Sequence, residues 1–231
     1  MTRPILTDSI SSYIDGKPAT REIDALELQS ARRALRLLKN RLTPEQMDEL
    51  LAQDLEESDT RWRAWAAASD GTWRAAEVDF EVFGLTAQQF TEWWSTALDD
   101  LTDVVFPAFP EHYRFGWVED PQAIADRCYL VVEELGHEPF RMFATFDHSA
   151  SPVAKLPDYE PLSVGVGRLA DGTEVLRFMT QIKALPHGFA LRTGLYFVSA
   201  APAHVIQSHI DQLLVEWTHW FRMAIAHFDT P

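Results

Sequence analysis

The chain has 231 residues, 46% of them hydrophobic and 24% charged, close to the globular averages of about 45–50% and about 25%. That excludes wholesale disorder, collagen and a coiled-coil rod. The 20 Lys and Arg stand against 35 Asp and Glu, a net charge of −15, and a field of that sign repels phosphate backbones and anionic lipid, so no nucleic-acid and no membrane-surface partner is expected. The lone cysteine, Cys128, excludes an internal disulfide and a thiolate metal cluster.

Residues 1–20 carry no clear period and read as an arm. From Ile23 the apolar residues Leu26, Ala31, Leu35, Leu38 and Leu42 recur at helical spacing. Thr43-Pro44-Glu45-Gln46 then restarts a helix, with Thr43 at the N-cap, Pro44 in the first turn and Gln46 completing a capping box. This second helix is expected to run to about Ala68, ended by Ser69-Asp70-Gly71, with the acidic stretch 54–59 as a point of interruption. Residues 1–70 are thus an arm and a helical hairpin.

Residues 71–231 form the second predicted domain. Trp73–Phe83 alternates, with Val78, Phe80 and Val82 on one face, as a half-buried strand does. Thr86-Ala87-Gln88-Gln89 is another capping box, opening a helix that carries Phe90, Trp93, Trp94 and Leu98 until prolines 107 and 110 break it. Strands are expected over 112–118, 128–134, 141–146, 162–168, 174–184 and 190–200, with Asp171-Gly172 a hairpin signal. Cys128 reads as a small buried hydrophobe at the start of one of them. The proline-bearing stretch 147–161 reads as a surface excursion, or else as a loop that shapes a site. In the last segment Ile206, Ile210, Leu213, Trp217, Trp220, Phe221, Ala224 and Phe228 share one face of a helix of about 25 residues. Such a broad aromatic face needs a large partner, which an antiparallel sheet supplies. The fold class expected is α+β.

The order strand, broken helix, a run of hairpin strands and one long C-terminal helix resembles the helix-grip fold of the Bet v 1-like, START and polyketide-cyclase (SRPBCC) superfamily. The resemblance is carried by Val78–Phe83 running into Thr86–Trp94 and by the helix 202–228, and the hairpin at 23–68 departs from it. It implies a curved antiparallel sheet around the long helix with a cavity between them. It also implies an apolar or aromatic small molecule as ligand, bound or acted on by cyclisation, hydrolysis or hydration. The alternative from a different class is an acidic protein-interaction module, such as an inhibitor, immunity protein or chaperone, with no small-molecule site.

The pocket-lining residues expected are Trp217, Trp220 and Phe221 from the helix. Phe115, Trp117, Phe143, Phe178 and Tyr196 would face them from the strands, although a one-residue slip in register moves any of these to the other face. His209, Glu216 and His227 flank the apolar stripe as a polar rim. Catalytic residues are not selected by the sequence. Glu216-Trp217-Thr218-His219 has the Glu-x-x-His spacing of carboxylate-bridged metal bundles, but its only counterpart, Glu134-Leu135-Gly136-His137, falls at a turn. No metal and no cofactor are expected. Val164-Gly165-Val166-Gly167 lacks the rest of a phosphate loop and reads as glycines that let a strand bend. No secretion signal and no apolar run of membrane-spanning length is evident, and a lone thiol fits a cytoplasmic location. Arg32, Arg33, Arg36, Lys39 and Arg41 make the first helix basic, and the apolar residues of the hairpin suggest packing on the second domain or a homodimer through this hairpin.

Overall fold

The computed structural model describes residues 13–14, 17–18, 23–123 and 125–229. In chain order the elements are β1 (Tyr13–Ile14), β2 (Lys17–Pro18), α1 (Ile23–Lys39), α2 (Pro44–Ser69), β3 (Trp73–Phe83), α3 (Ala87–Ala97), a π-helical turn (Leu101–Val105) and α4 (Phe106–Ala108). Then come β4 (His112–Val118), β5 (Cys128–Glu134), β6 (Pro139–Phe146), a 3-10 turn (His148–Ala150), β7 (Glu160–Arg168), β8 (Glu174–Leu185), β9 (Gly188–Val198) and α5 (Ala203–Asp229). Two compact units result, Met1–Arg41 and Leu42–Pro231. Apart from β1 and β2, the expected arm over 1–20 falls outside the described residues.

Both capping boxes form: the Thr43 and Thr86 side chains accept from the Gln46 and Gln89 amides, and each glutamine returns a bond to the cap. The acidic stretch of α2 does not interrupt it. Asp70 ends this helix in the left-handed conformation, at φ 46° and ψ 44°.

The larger unit has one seven-stranded antiparallel sheet in the order β3-β9-β8-β7-β6-β5-β4. Its long pairings run from Trp73↔Val198 to Phe83↔Gly188 and from Leu176↔Phe197 to Leu185↔Gly188. α5 continues unbroken through Trp217 and buries Val205, Leu213, Trp217, Trp220, Phe221 and Ala224. The architecture is therefore α+β, a curved antiparallel sheet gripping a long C-terminal helix, as the order of elements implies.

The aromatic face of α5 divides its contacts. Phe221 packs with Phe80, Phe90 and Phe189 at ring-centroid distances of 5.2, 5.3 and 5.7 Å. Trp217 and Trp220 meet Trp94 of α3, each at 4.9 Å.

α2 belongs to the same compact unit as the sheet. Trp62, 2% exposed, lies against Phe140 and Phe197 at 4.8 and 5.9 Å. Arg61 pairs with Glu138 in the β5–β6 turn, Arg63 with Asp171 in the β7–β8 turn, and Arg114 of β4 with Asp48. The Ser69 hydroxyl accepts from the Ala200 amide just before α5. All these partners lie at one end of the grip, so α2 covers that end. Its buried apolar line is Met47, Leu55 and Trp62, whereas Leu50 is exposed.

Candidate functional site

Between the concave face of the sheet, α3 and α5 lies a cavity of about 130 Å³. α3 contributes Trp94 and its C-cap residue Leu98, and α5 contributes His209, Gln212, Leu213, Glu216, Trp217 and Trp220. The spacings of 3, 4 and 7 residues along α5 put these side chains on one stripe. The sheet side includes Phe115, Tyr129, Met142, Phe146, Phe178 and Leu195, with the Thr180 and Thr193 hydroxyls bonded to each other at 3.0 Å. Two glycines make room on this wall. A Cβ on Gly165 would sit 2.1 Å from the Thr145 carbonyl oxygen and 2.4 Å from the Phe178 ring, and one on Gly167 would sit 2.8 Å from Leu176. The glycines of β7 thus let a lining phenylalanine lie directly over a strand backbone.

Four of the expected lining residues, Trp217, Trp220, Phe115 and Phe178, stand on the cavity wall. Four others do not. Phe143 lies between the lining residues Met142 and Ala144, so strand alternation turns it to the opposite face. Tyr196 is likewise offset from Leu195 and packs with Val164 and Met179 in a separate cluster, its hydroxyl donating to Glu77 at 2.5 Å. Trp117 has the phase of Phe115 but is 40% exposed. It packs against Tyr129 with ring centroids 3.8 Å apart and donates through Nε1 to Asp99 at 2.9 Å. Phe221 is spent on the neighbouring aromatic cluster. Of the polar rim, His209 and Glu216 reach the cavity, whereas His227 is exposed and rests edge-on against Phe228.

Three further polar residues that sequence reasoning missed, His112, Glu133 and Gln212, join His209 and Glu216 on the cavity wall. His112, at the start of β4, is 1% exposed and Glu133, at the end of β5, is 4% exposed. His112 Nδ1 donates to the Val105 carbonyl at 3.2 Å, a carbonyl presented by the π-helical turn. That bond aims Nε2 inward, 3.0 Å from Glu216 Oε1 and 3.2 Å from Glu133 Oε2. Gln212 Nε2 donates to the same Glu133 oxygen at 2.8 Å, and Gln212 Oε1 lies 3.1 Å from His209 Nδ1.

The charges follow from these contacts. Burial opposes a charge on His112, but Glu216 and Glu133 outweigh it and hold the imidazolium up to about 10. Burial likewise pushes Glu133 up, yet the hydrogen bond and charge of His112 outweigh it, with a further hydrogen bond from Gln212, and bring Glu133 below the usual carboxylate range. Burial dominates at Glu216 and raises it. Two carboxylates sharing one imidazolium are therefore driven in opposite directions, the arrangement that separates a proton donor from a fixed anion. Among the described residues no group of three or more His, Cys, Asp or Glu is disposed to hold a metal ion.

A signal for Glu133 was present. It follows Tyr129 and Val131 at strand period, so an acid stands on an otherwise apolar face, which is uncommon without a partner. The partner, His112, comes from another strand and is brought opposite Glu133 only by sheet register. Other candidates fall away. Cys128 is buried, and burial followed by Asp120 raises its thiol. Glu134 accepts from the His137 amide in the β5–β6 turn and serves the turn itself. His219 does not line the cavity.

No family model and no curated protein sequence matches the chain. Among solved structures, the crystal structure of Ara h 8.0201 superposes with a TM-score of 0.44 at 12% identity, covering 67% of this chain and 99% of that one.

Proposed function

We propose that this protein binds an apolar or aromatic small molecule in the cavity between the sheet and α5, and acts on it by proton transfer. The observation that carries the reading is an aromatic-walled cavity with a charged, hydrogen-bonded cluster buried in its wall. Apolar walls with a few placed polar groups are the usual composition of a ligand pocket. A core without a ligand gains little from a buried ion pair, because apolar residues of equal volume are as stable or more so. Glu216, raised by burial and held by His112, is the proton-exchanging group in this reading. His112 and Glu133 keep their charges and fix its position. Cyclisation, hydrolysis and hydration of an apolar substrate are all accelerated by such a group.

Native mass spectrometry of the purified protein, followed by denaturing extraction, tests the binding step. A retained small organic molecule that Trp217→Phe preserves and Leu195→Trp expels supports it. No bound mass, together with no heat on titration of single-ring aromatics, would refute it. With the extracted molecule in hand, conversion by the parent protein and not by Glu216→Gln tests the second step.

A further inference from the structure

The hydrogen-bond directions around Gln212 decide which nitrogen of His209 carries a proton. Glu133 is ionised, so the amide group that meets its Oε2 at 2.8 Å is the donor NH2 of Gln212. The remaining amide atom, Oε1, can only accept, and His209 Nδ1 lies 3.1 Å from it. Nδ1 therefore bears the hydrogen, and Nε2 of the neutral ring presents a lone pair. Burial keeps the ring neutral, outweighing the opposite pull of Glu133 and Gln212. His209 is 2% exposed and stands on the cavity wall, and its Nε2 has no hydrogen-bond partner among the described residues. A buried acceptor left unsatisfied is costly, so an occupant that supplies a donor is favoured over one of equal shape that does not.

Size and charge narrow the occupant. A cavity of about 130 Å³ is on the scale of the engineered ~150 Å³ apolar cavity that admits benzene, so one ring fits. A carboxylate ligand brings no hydrogen to Nε2 and meets Glu133 and Glu216. An ammonium gives up its hydration against aromatic walls.

Resting on the ligand-binding reading above, we propose that the cavity selects a neutral single-ring compound bearing a hydroxyl group, a phenol or a cyclic alcohol, whose O–H donates to His209 Nε2. His209 is then the residue that sets specificity, read through Gln212 from the Glu133 carboxylate.

Phenol and toluene are the probes, because they differ by hydroxyl against methyl at nearly constant volume. Calorimetric titration of the full chain is expected to show phenol bound roughly ten-fold more tightly than toluene, the effect of one buried hydrogen bond. His209→Phe is expected to abolish the preference while retaining toluene. In the unmodified protein, the 15N signal of His209 Nε2 is expected at the unprotonated position and to move on adding phenol but not toluene, a readout independent of whether the variant folds. Equal affinity for the two probes, or a protonated Nε2 in the free protein, overturns this inference and leaves the binding reading standing. Binding of neither probe overturns both.

Discussion

Replacing His112 with Leu removes the cation that stands between two buried carboxylates. In the parent protein His112 Nε2 is 3.2 Å from Glu133 and 3.0 Å from Glu216, and all three residues are at most 6% exposed. The leucine approximates the ring in volume, so the loss is chiefly electrostatic. Glu133 keeps Gln212 as a donor, whereas Glu216 loses the one hydrogen bond described for it. Removing one member of a buried ion pair costs about 3–5 kcal/mol, and that is the deficit expected at pH 7. Its pH dependence separates this cause from a packing defect. Without the imidazolium, burial places both folded-state carboxyl pKa values above the unfolded value of about 4.3. Such groups hold protons in the folded state that the unfolded chain releases. The contribution of these two groups to the variant's stability is therefore whole below about pH 4.3 and is lost as pH rises through the folded values. Urea denaturation at pH 5 and pH 8 should show a deficit that is smaller at pH 5, and His112→Leu with Glu133→Gln and Glu216→Gln should regain much of it at pH 8. An unchanged midpoint at pH 7, or a deficit of equal size at both pH values, would refute the buried ion cluster.

Three other outcomes are expected. The parent protein should lose stability as pH rises from about 6.5 to about 10, because the folded imidazolium of His112 is raised to about 10 over an unfolded value of about 6.5. Its contribution is whole below the lower figure and gone above the upper one, so His112→Leu should remove that slope in urea titrations between pH 7 and 9.5. Gly165→Ala should lower stability by roughly 1–3 kcal/mol by overpacking, read as a reduced midpoint in thermal denaturation, since the new methyl meets the Thr145 carbonyl and the Phe178 ring. Trp217→Ala, at a site 4% exposed and stacked on Trp94, should cost about 3–5 kcal/mol in chemical denaturation and enlarge the cavity enough to admit bicyclic aromatics in calorimetric titration.

Local chemistry was legible wherever the determining residues are neighbours in sequence. The capping boxes at Thr43 and Thr86 and the Asp70 stop involve residues within a few positions of one another. Hydrophobic period distinguished β3 from α3 and showed the aromatic face of α5. Half of the eight expected lining residues reached the cavity because a helix face and a strand face are periodic. Phe143 and Tyr196 missed it because a period of two leaves the choice of face open until register is known. Trp117 missed it for another reason: it has the phase of Phe115, but it stands at an exposed position where Asp99 and Arg127 hold it.

The polar cluster was not legible in the same way. His112 and Glu133 are 21 positions apart and Glu216 lies 83 beyond Glu133, so no spacing rule joins them. Register between β4 and β5, the inward face of α5 and the π-helical turn at Val105 bring them together. α2 shows the same division. Its bounds and caps follow from its own residues, but its place across the end of the grip depends on Trp62, Arg61 and Arg63 finding partners 77 or more positions away. Local pattern was enough for the helices and strands beyond residue 23 and for the α+β grip that their order and amphipathic faces imply, whereas ends without a cap signal shifted: strands expected at 141–146, 162–168 and 190–200 are Pro139–Phe146, Glu160–Arg168 and Gly188–Val198, and α3 stops at Ala97. Which face of each strand looks inward, which charges are buried together and which buried acceptor has no hydrogen-bond partner among the described residues depend on the closed fold, because burial and charge proximity are properties of residues that meet only when the sheet closes around α5.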